Sequence, residues 1–288
     1  MGNDVTVGVG QTKCELGNVG ENLRHCIDML DRAAEQGISL VILPECALSG
    51  YVFDDLDSAR LAAVPLSGPE IAELADHCIR LGVYCVVGFL EDADDLVYNT
   101  AVLLGPDGLI GSYRKSHLPY LGADRFVARA NAAQPPVFDT GIGRIGLAIC
   151  YDLRFPEWTR ALALAGADII ALPTNWPLES RLLAEYFTVV RAAENRVFLL
   201  VANRWDAERG VQFMGQSQIV SPTGEVLAQA ATDETLVSAV IDIDVARNKH
   251  VVVKAETFEL FLFDDRRPDL YESITAQATA GVPPMEEG

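Results

Sequence analysis

The sequence lacks the features that would direct it into or across a membrane. No stretch of its 288 residues approaches the roughly 20 uninterrupted apolar residues that a spanning helix needs. The N-terminus has no basic segment followed by an apolar run, which a secretory leader would require. We therefore expect a cytoplasmic protein with no membrane role.

Positive charge is scarce. The chain has 22 Lys and Arg residues against 41 Asp and Glu residues, and its formal net charge at pH 7 is −19. A surface of this sign repels phosphate backbones and anionic lipid headgroups. The composition therefore argues against nucleic acid and membrane surfaces as partners.

Paired cysteines are also missing. The six cysteines contain no CxxC pair and have no histidine at the spacing of a metal site. The chain is not a small secreted domain, so a disulfide framework is not predicted. We expect five structural thiols and one reactive thiol, no metal, and no organic cofactor.

The sequence does contain a regular alternation of strand and helix patterns. Two β-α-β units come first, which predicts helices packed on sheets, and the hairpins that follow make the sheets mixed. The predicted strands lie at about 4–12, 39–43, 83–90, 97–104, 109–114, 136–140, 144–150, 168–173, 197–203, 216–220, 225–230 and 236–242, and the main predicted helices at 21–36, 69–81, 156–164 and 179–196.

No linker rich in Gly, Ser or Pro interrupts this series. We therefore predict a single α/β domain over residues 1–250, with about a dozen strands of ordinary length. Residues 251–288 are predicted to form a C-terminal arm with little core of its own.

Cys150 is a candidate nucleophile. It ends the apolar strand 145–149, and Pro156 stands where the first turn of the next helix should begin. Strand-to-helix turns hold reactive groups in many α/β proteins. A helix N-terminus and a nearby ammonium would lower the pKa of the thiol and favour the thiolate. The alternative is an inert core cysteine, which burial statistics make equally common.

Glu45 and Lys115 also lie at strand ends. Glu45 closes the buried strand 40–43, where packing explains a carboxylate poorly, and desolvation would raise its pKa toward the range of a general base. Lys115 opens an irregular segment after a predicted strand, where it is either a surface charge or a cation that stabilises an oxyanion.

Together these residues carry a family resemblance. Three segments, in this order along the chain, resemble the motifs of the nitrilase superfamily of carbon–nitrogen hydrolases. They are Leu43-Pro44-Glu45 with Ser49-Gly50-Tyr51, then Tyr113-Arg114-Lys115-Ser116-His117-Leu118, and finally Gly146-Leu147-Ala148-Ile149-Cys150-Tyr151-Asp152-Leu153-Arg154-Phe155-Pro156-Glu157. Matches at 172–176, 191–195 and 215–217 extend the resemblance to about residue 250.

The resemblance implies a four-layer α-β-β-α sandwich of two mixed sheets and a Glu45, Lys115 and Cys150 triad. It implies a homodimer whose contact includes the helices around 156–165 and 179–195 and the arm 251–288. Members of the family carry a second glutamate after the lysine. This chain has Asp124 there, with shorter reach, as the supporting carboxylate.

The resemblance also implies a mechanism. Cys150 attacks the carbonyl of a small non-peptide amide, while Lys115 and the Tyr151 backbone N–H stabilise the oxyanion. Glu45 protonates the departing ammonia and then activates water to hydrolyse the thioester. We expect Tyr51, Asn175 and Trp176 to line the substrate pocket. The alternative for Trp176 is a structural plug at the rim of the sandwich.

Other functions remain open from the sequence. The nucleophile is followed by Tyr151-Asp152, which resembles the amidase branches rather than the Trp-Glu of true nitrilases. The same fold also serves N-carbamoyl amidohydrolases and nitrilases. Two further alternatives are a binding scaffold without catalytic activity and a Cys–His peptidase in which His117 pairs with Cys150. We interpret His117 as a neighbour that orients the loop.

Overall fold

The computed structural model describes residues 4–130 and 134–276. They form two compact units that divide between Asn248 and Lys249. The strands of the first unit are β1 (Asp4–Gln11), β2 (Leu40–Ile42), β3 (Tyr84–Ala93), β4 (Leu96–Gly105), β5 (Gly108–Arg114), β6 (Val137–Thr140), β7 (Gly143–Leu147), β8 (Ile169–Pro173), β9 (Phe198–Ala202), β10 (Ala207–Glu208), β11 (Val211–Gln212), β12 (Gln218–Val220), β13 (Val226–Gln229) and β14 (Thr235–Asp242).

The helices alternate with these strands as the sequence predicted. The α-helices of the first unit are α1 (Val19–Glu35), α2 (Leu56–Leu61), α3 (Pro69–Leu81), α4 (Pro156–Leu164), α5 (Thr188–Asn195) and α6 (Ile243–Arg247). The Asn18 side chain caps α1 by accepting from the Glu21 backbone N–H. Pro69 and Pro156 begin α3 and α4, the position in a helix where a missing N–H costs nothing.

Two six-stranded mixed sheets form the centre of the first unit. Their strand orders are β14-β1-β2-β3-β4-β5 and β13-β12-β9-β8-β7-β6. Helices α1 and α3 pack on the first sheet, α4 and α5 pack on the second, and the sheets contact each other through β1, β2 and β9 among others. The predicted α-β-β-α sandwich is confirmed.

The topology brings the carboxyl ends of several strands to one edge of each sheet. Strands β2 and β3 are parallel, and β5 shares their direction because two antiparallel pairings separate it from β3. In the second sheet β7, β8 and β9 are parallel. Residues that directly follow these strands are therefore placed where α/β sheets bind ligands.

The segment predicted as one helix over 179–196 differs from the prediction. It starts with a 3₁₀ turn at Leu178–Ser180 and a π-turn at Leu183–Phe187, and only α5 is regular. The Ala184 carbonyl accepts from the Thr188 hydroxyl at 3.0 Å and from Gln218 Nε2 at 2.9 Å. These side chains compete for the carbonyl that Thr188 N–H would use, and that N–H bonds Leu183 instead.

The second unit holds an antiparallel hairpin of β15 (His250–Lys254) and β16 (Phe258–Phe261), followed by a 3₁₀ turn at Pro268–Leu270 and α7 (Glu272–Thr275). The predicted arm 251–288 extends beyond the described residues at 277–288. Within the described ranges, no helix combines the length and the apolar character that crossing a bilayer requires.

Gly88 in β3 tests how tightly the first sheet packs against the turn after β2. A Cβ at this position would lie 2.6 Å from Cys46 N and 2.6 Å from Glu45 Cα, and backbone atoms cannot give way. We expect Gly88→Ala to lower the free energy of unfolding by about 1–3 kcal/mol, measured by urea denaturation.

Gly20 provides the control for that variant. A Cβ there meets nothing within 4 Å, so Gly20→Ala should leave stability unchanged or raise it by up to about 1 kcal/mol. Equal stability of the Gly88→Ala and Gly20→Ala proteins would contradict the close packing described for β3.

Candidate active site

Three buried ionisable side chains lie in contact at the edge of the first sheet. Glu45 follows β2, Lys115 follows β5, and Asp124 lies in a 3₁₀ turn at Gly122–Arg125. Lys115 Nζ donates to Glu45 Oε1 at 2.6 Å and to Asp124 Oδ2 at 2.5 Å, and all three side chains are buried. The predicted pair Glu45 and Lys115 is thus in direct contact, and Asp124 is within reach of the lysine.

Asn99 bridges the two carboxylates. Its Nδ2 donates to Glu45 Oε1 at 2.7 Å and to Asp124 Oδ1 at 2.9 Å, while its backbone carbonyl accepts from Lys115 N at 2.8 Å. Tyr51 completes this set, because its hydroxyl lies 2.8 Å from Asp124 Oδ2. These contacts fix the positions of both carboxylates around the ammonium.

Burial and mutual charge set the protonation of this cluster. Burial raises the pKa of Glu45 above its usual value, although Lys115 counteracts it. Burial alone would lower the pKa of Lys115, but the charges of Asp124 and Glu45 outweigh it and hold that pKa well above its usual value. Lys115 therefore stays an ammonium, and the predicted rise in the pKa of Glu45 is confirmed.

Cys150 lies at the corresponding edge of the second sheet. It follows β7 and begins a 3₁₀ turn at Cys150–Arg154, and its own backbone is left-handed with φ 45°. A non-glycine residue in this region is strained and is held there by its surroundings. The predicted strand-to-helix turn, with α4 starting at Pro156, is confirmed.

The pKa of the Cys150 thiol moves opposite to the prediction. Burial and the charge of Glu45 raise it to about 12, and Lys115, the Thr174 hydroxyl and the Asn175 backbone N–H lower it less. The sequence argument identified the ammonium correctly but omitted desolvation, which is the largest effect. The resting residue is therefore a thiol.

A second set of contacts holds the turn that carries Cys150. The buried Asp152 carboxylate accepts from Ile149 N at 2.8 Å and from the Tyr113 hydroxyl at 2.9 Å. His117 Nδ1 lies 2.6 Å from Asp152 Oδ1, and its ring stacks on Phe155 at 4.0 Å between centroids. His117 thus supports the turn by contacting Asp152, in agreement with the interpretation that it orients the loop.

The predicted pocket residues are all buried. Asn175 Nδ2 donates to the Glu45 backbone carbonyl at 2.9 Å, which links the two sheets at the site. Trp176 N donates to Asn203 Oδ1 at 2.8 Å. Tyr51 holds Asp124 as described above. Their place in a substrate pocket stays a prediction, as does the oxyanion role of the Tyr151 N–H.

Sequence reasoning missed Asn99 and Asp152. Asn99 interrupts the apolar strand β4, and Asp152 follows Cys150 by two residues. A buried polar residue within an apolar strand needs hydrogen-bond partners, and this signal could have identified Asn99. Among residues 4–130 and 134–276, no group of three or more His, Cys, Asp or Glu side chains is arranged to hold a metal ion.

Comparisons with known proteins identify the family of this chain. The family model described as carbon-nitrogen hydrolase matches residues 6–250. A nitrilase of Pyrococcus abyssi is 38% identical over 84% of this chain and 90% of its own length. The omega-amidase NIT2 of Bos taurus is 31% identical over 88% of this chain and 91% of its own.

A solved structure shows the same fold. It is a variant of the amidase from Nesterenkonia sp. AN1 with the acetamide moiety of fluoroacetamide added covalently at its active-site cysteine. It superposes with a TM-score of 0.77 at 23% identity, and the match covers 93% of this chain and 96% of that chain.

The charges around Cys150 predict how its reactivity changes with pH. Because the charge of Glu45 raises the pKa of the thiol, Glu45→Gln should lower that pKa and speed alkylation by iodoacetamide at a given pH. Lys115→Met removes a charge that lowers the pKa, so it should slow alkylation. The rate is measured from pH 6 to 10 by mass spectrometry of the peptide containing Cys150.

The protein with Cys150→Ala is the control for that experiment, because it shows how much label the five other buried cysteines take up. Slower labelling in Glu45→Gln than in the wild type would contradict the expectation that the charge of Glu45 raises the pKa of the Cys150 thiol.

Proposed function

This chain belongs to the carbon–nitrogen hydrolase family and is a hydrolase of non-peptide carbon–nitrogen bonds, and we propose that it is an amidase that cleaves small carboxamides through a thioester on Cys150. One observation carries the proposal. A permanently charged Lys115 and a carboxyl group of raised pKa, Glu45, both lie close enough to Cys150 to act on the pKa of its thiol.

The first half of the reaction uses Glu45 as a base and then as an acid. Glu45 Oε2 is buried and has no hydrogen-bond partner among the described residues, so it is available for the proton of the Cys150 thiol. Sulfur adds to the amide carbonyl, and Lys115 with the Tyr151 N–H stabilises the oxyanion. Glu45 passes its proton to the amide nitrogen, the C–N bond breaks, and ammonia leaves a thioester on Cys150.

Water completes the cycle. Glu45, again a carboxylate, takes a proton from water, and the hydroxide adds to the thioester carbonyl. The C–S bond breaks, the carboxylic acid leaves, and the proton on Glu45 returns to the Cys150 sulfur. Asp124 takes no proton in this scheme. Together with Asn99 it keeps Lys115 charged and in place, a supporting role that its 2.5 Å contact with Lys115 favours.

The surroundings of Cys150 favour a substrate with an amide N–H. Asn175 is held by its Nδ2 on the Glu45 carbonyl, which leaves its buried Oδ1 without a partner among the described residues. An orphaned buried acceptor costs free energy until a donor reaches it. The omega-amidase relative and the cysteine adduct of the Nesterenkonia amidase support the same chemistry.

Nitriles are the second candidate substrates, because the Pyrococcus abyssi relative carries the name nitrilase. A nitrile would use the same attack by Cys150. N-carbamoyl compounds would likewise react at Cys150 and release carbon dioxide as well as ammonia. Supplying amides and nitriles separately distinguishes the first two reactions, and carbon dioxide release identifies the third.

We propose further that the protein is a homodimer. Leu178, Leu182, Tyr186 and Val190 recur every four residues and are between 48% and 59% exposed. They form an apolar stripe along the segment that packs outside the second sheet. Large exposed apolar patches mark contact surfaces in soluble proteins, and this segment overlaps one of the three that the family resemblance assigns to the dimer contact.

The amidase proposal is tested by a substrate panel. The purified protein is incubated with aliphatic, aromatic and ω-amides, N-carbamoyl compounds and nitriles, and ammonia and the acid product are measured. We expect ammonia from at least one amide class, complete loss with Cys150→Ala, and a loss of about 100-fold or more with Lys115→Met, because a single oxyanion donor contributes that much. Full amide hydrolysis by the Cys150→Ala protein would refute the mechanism.

Introducing charged residues into the apolar stripe tests the dimer proposal. Leu182→Asp with Tyr186→Asp should convert dimer to monomer in sedimentation equilibrium, because two carboxylates would be desolvated at the contact. Leu61→Asp is the matched control, since Leu61 is 90% exposed at the end of α2 and lies outside the stripe. A wild-type monomer, or a dimer that survives the double change, would exclude this surface.

A further inference from the structure

A second buried ionic cluster lies outside the reacting groups. Arg204 follows β9 and is fully buried, and its guanidinium contacts three acceptors. Its Nε donates to Asp206 Oδ1 at 2.9 Å, Nη1 to Glu208 Oε2 at 2.8 Å, and Nη2 to the Cys14 carbonyl at 2.9 Å. The proposed mechanism uses none of these residues. Burying charged groups costs free energy, so a buried ionic cluster calls for a structural or functional explanation.

Glu208 extends from this cluster to the loop that carries Tyr51. One carboxylate oxygen, Oε2, faces Arg204. The other, Oε1, accepts from Tyr51 N at 2.9 Å and from Val52 N at 2.5 Å. The side chain is 5% exposed. Glu208 therefore joins the end of β9 in the second sheet to a loop that follows β2 in the first sheet.

Tyr51 makes three contacts with the turn that carries Asp124. Its hydroxyl lies 2.8 Å from Asp124 Oδ2, and its carbonyl accepts from Ala123 N at 2.7 Å. Its ring lies against Gly122, where φ is +53° and a Cβ would be 2.5 Å from the ring. Asp124 in turn holds Lys115. A continuous path of contacts thus leads from Glu208 to the ammonium beside Cys150.

We propose that Glu208 is a positioning residue, which fixes the Tyr51 loop so that Tyr51 keeps Asp124, and through it Lys115, in the geometry that stabilises the oxyanion. The inference rests on the proposed function. Lys115 follows a strand of the first sheet, and Cys150 follows a strand of the second. The hydrogen bonds of Glu208 are among the contacts that fix the edges of the two sheets relative to each other. Small displacements of such groups have large effects on rate.

The test separates positioning from stability with three variants. Glu208→Ala removes the acceptor for both loop N–H groups, and its kcat should fall about 10- to 100-fold with little change in KM. Glu208→Gln keeps an acceptor oxygen for those N–H groups but removes one of the two carboxylates that contact Arg204, so that Asp206 alone balances its charge. It should therefore recover most of the kcat and still unfold at lower urea concentration than the wild type.

Asp206→Asn is the matched control. Asp206 contacts the same guanidinium but donates nothing to, and accepts nothing from, residues 51 and 52. It should lose stability like Glu208→Gln and keep the wild-type kcat. If activity instead follows stability across the three variants, Glu208 is a structural residue and the proposal fails.

A double-mutant cycle tests the route through Tyr51. Tyr51→Phe removes the hydroxyl next to Asp124, and Glu208→Ala should add little further loss of kcat in that protein, because the two changes break one path. Losses that multiply would show that Glu208 acts elsewhere. If the wild type hydrolyses nothing in the panel, the proposed function fails on its own, and the rate of Cys150 alkylation replaces kcat as the measurement, with slowing expected only in Glu208→Ala.

Discussion

The buried ammonium of Lys115 is the constraint on which the site depends. An ion of this kind is costly to remove from water, and the cost is offset only where opposite charges and hydrogen bonds surround it. Glu45 and Asp124 supply the charges, and Asn99 fixes the two carboxylates. The same arrangement keeps the lysine protonated and raises the pKa of Glu45. In the proposed mechanism, one set of contacts therefore prepares both the cation that stabilises the oxyanion and the base.

The fold was largely predictable because periodicity reports local structure. Helices α3 and α4 begin at the predicted positions, since Pro69 and Pro156 are strong start signals. Helix α1 begins at Val19, within about two residues of the predicted start, which is the usual uncertainty of helix ends. The residues now seen around Lys115 were predictable in part, because Glu45 and Asp124 belong to or adjoin recognisable motifs. The π-turn before α5 was not predictable, because it depends on Gln218, a residue 34 positions from Ala184.

The direction of the pKa shift at Cys150 could not be predicted from the sequence for a related reason. Whether a thiol has a high or a low pKa depends on how much water remains around it and which charges approach it from distant parts of the chain. Lys115 and Glu45 act on Cys150 with opposite sign, and only the folded structure shows that burial and Glu45 prevail. Asn99, Asp152 and Glu208 were missed similarly. Each is an ordinary polar residue in the sequence, and each has a hydrogen-bond partner between 25 and 157 residues away.

The left-handed backbone at Cys150 also limits how the chemistry of this protein can change. At φ 45° a side chain branched at Cβ would clash with its own backbone. Threonine is therefore excluded at this position by conformation, before its reactivity matters. Of the two aliphatic hydroxyl residues, only serine fits this turn, so an aliphatic alcohol could replace the proposed sulfur nucleophile through one substitution only.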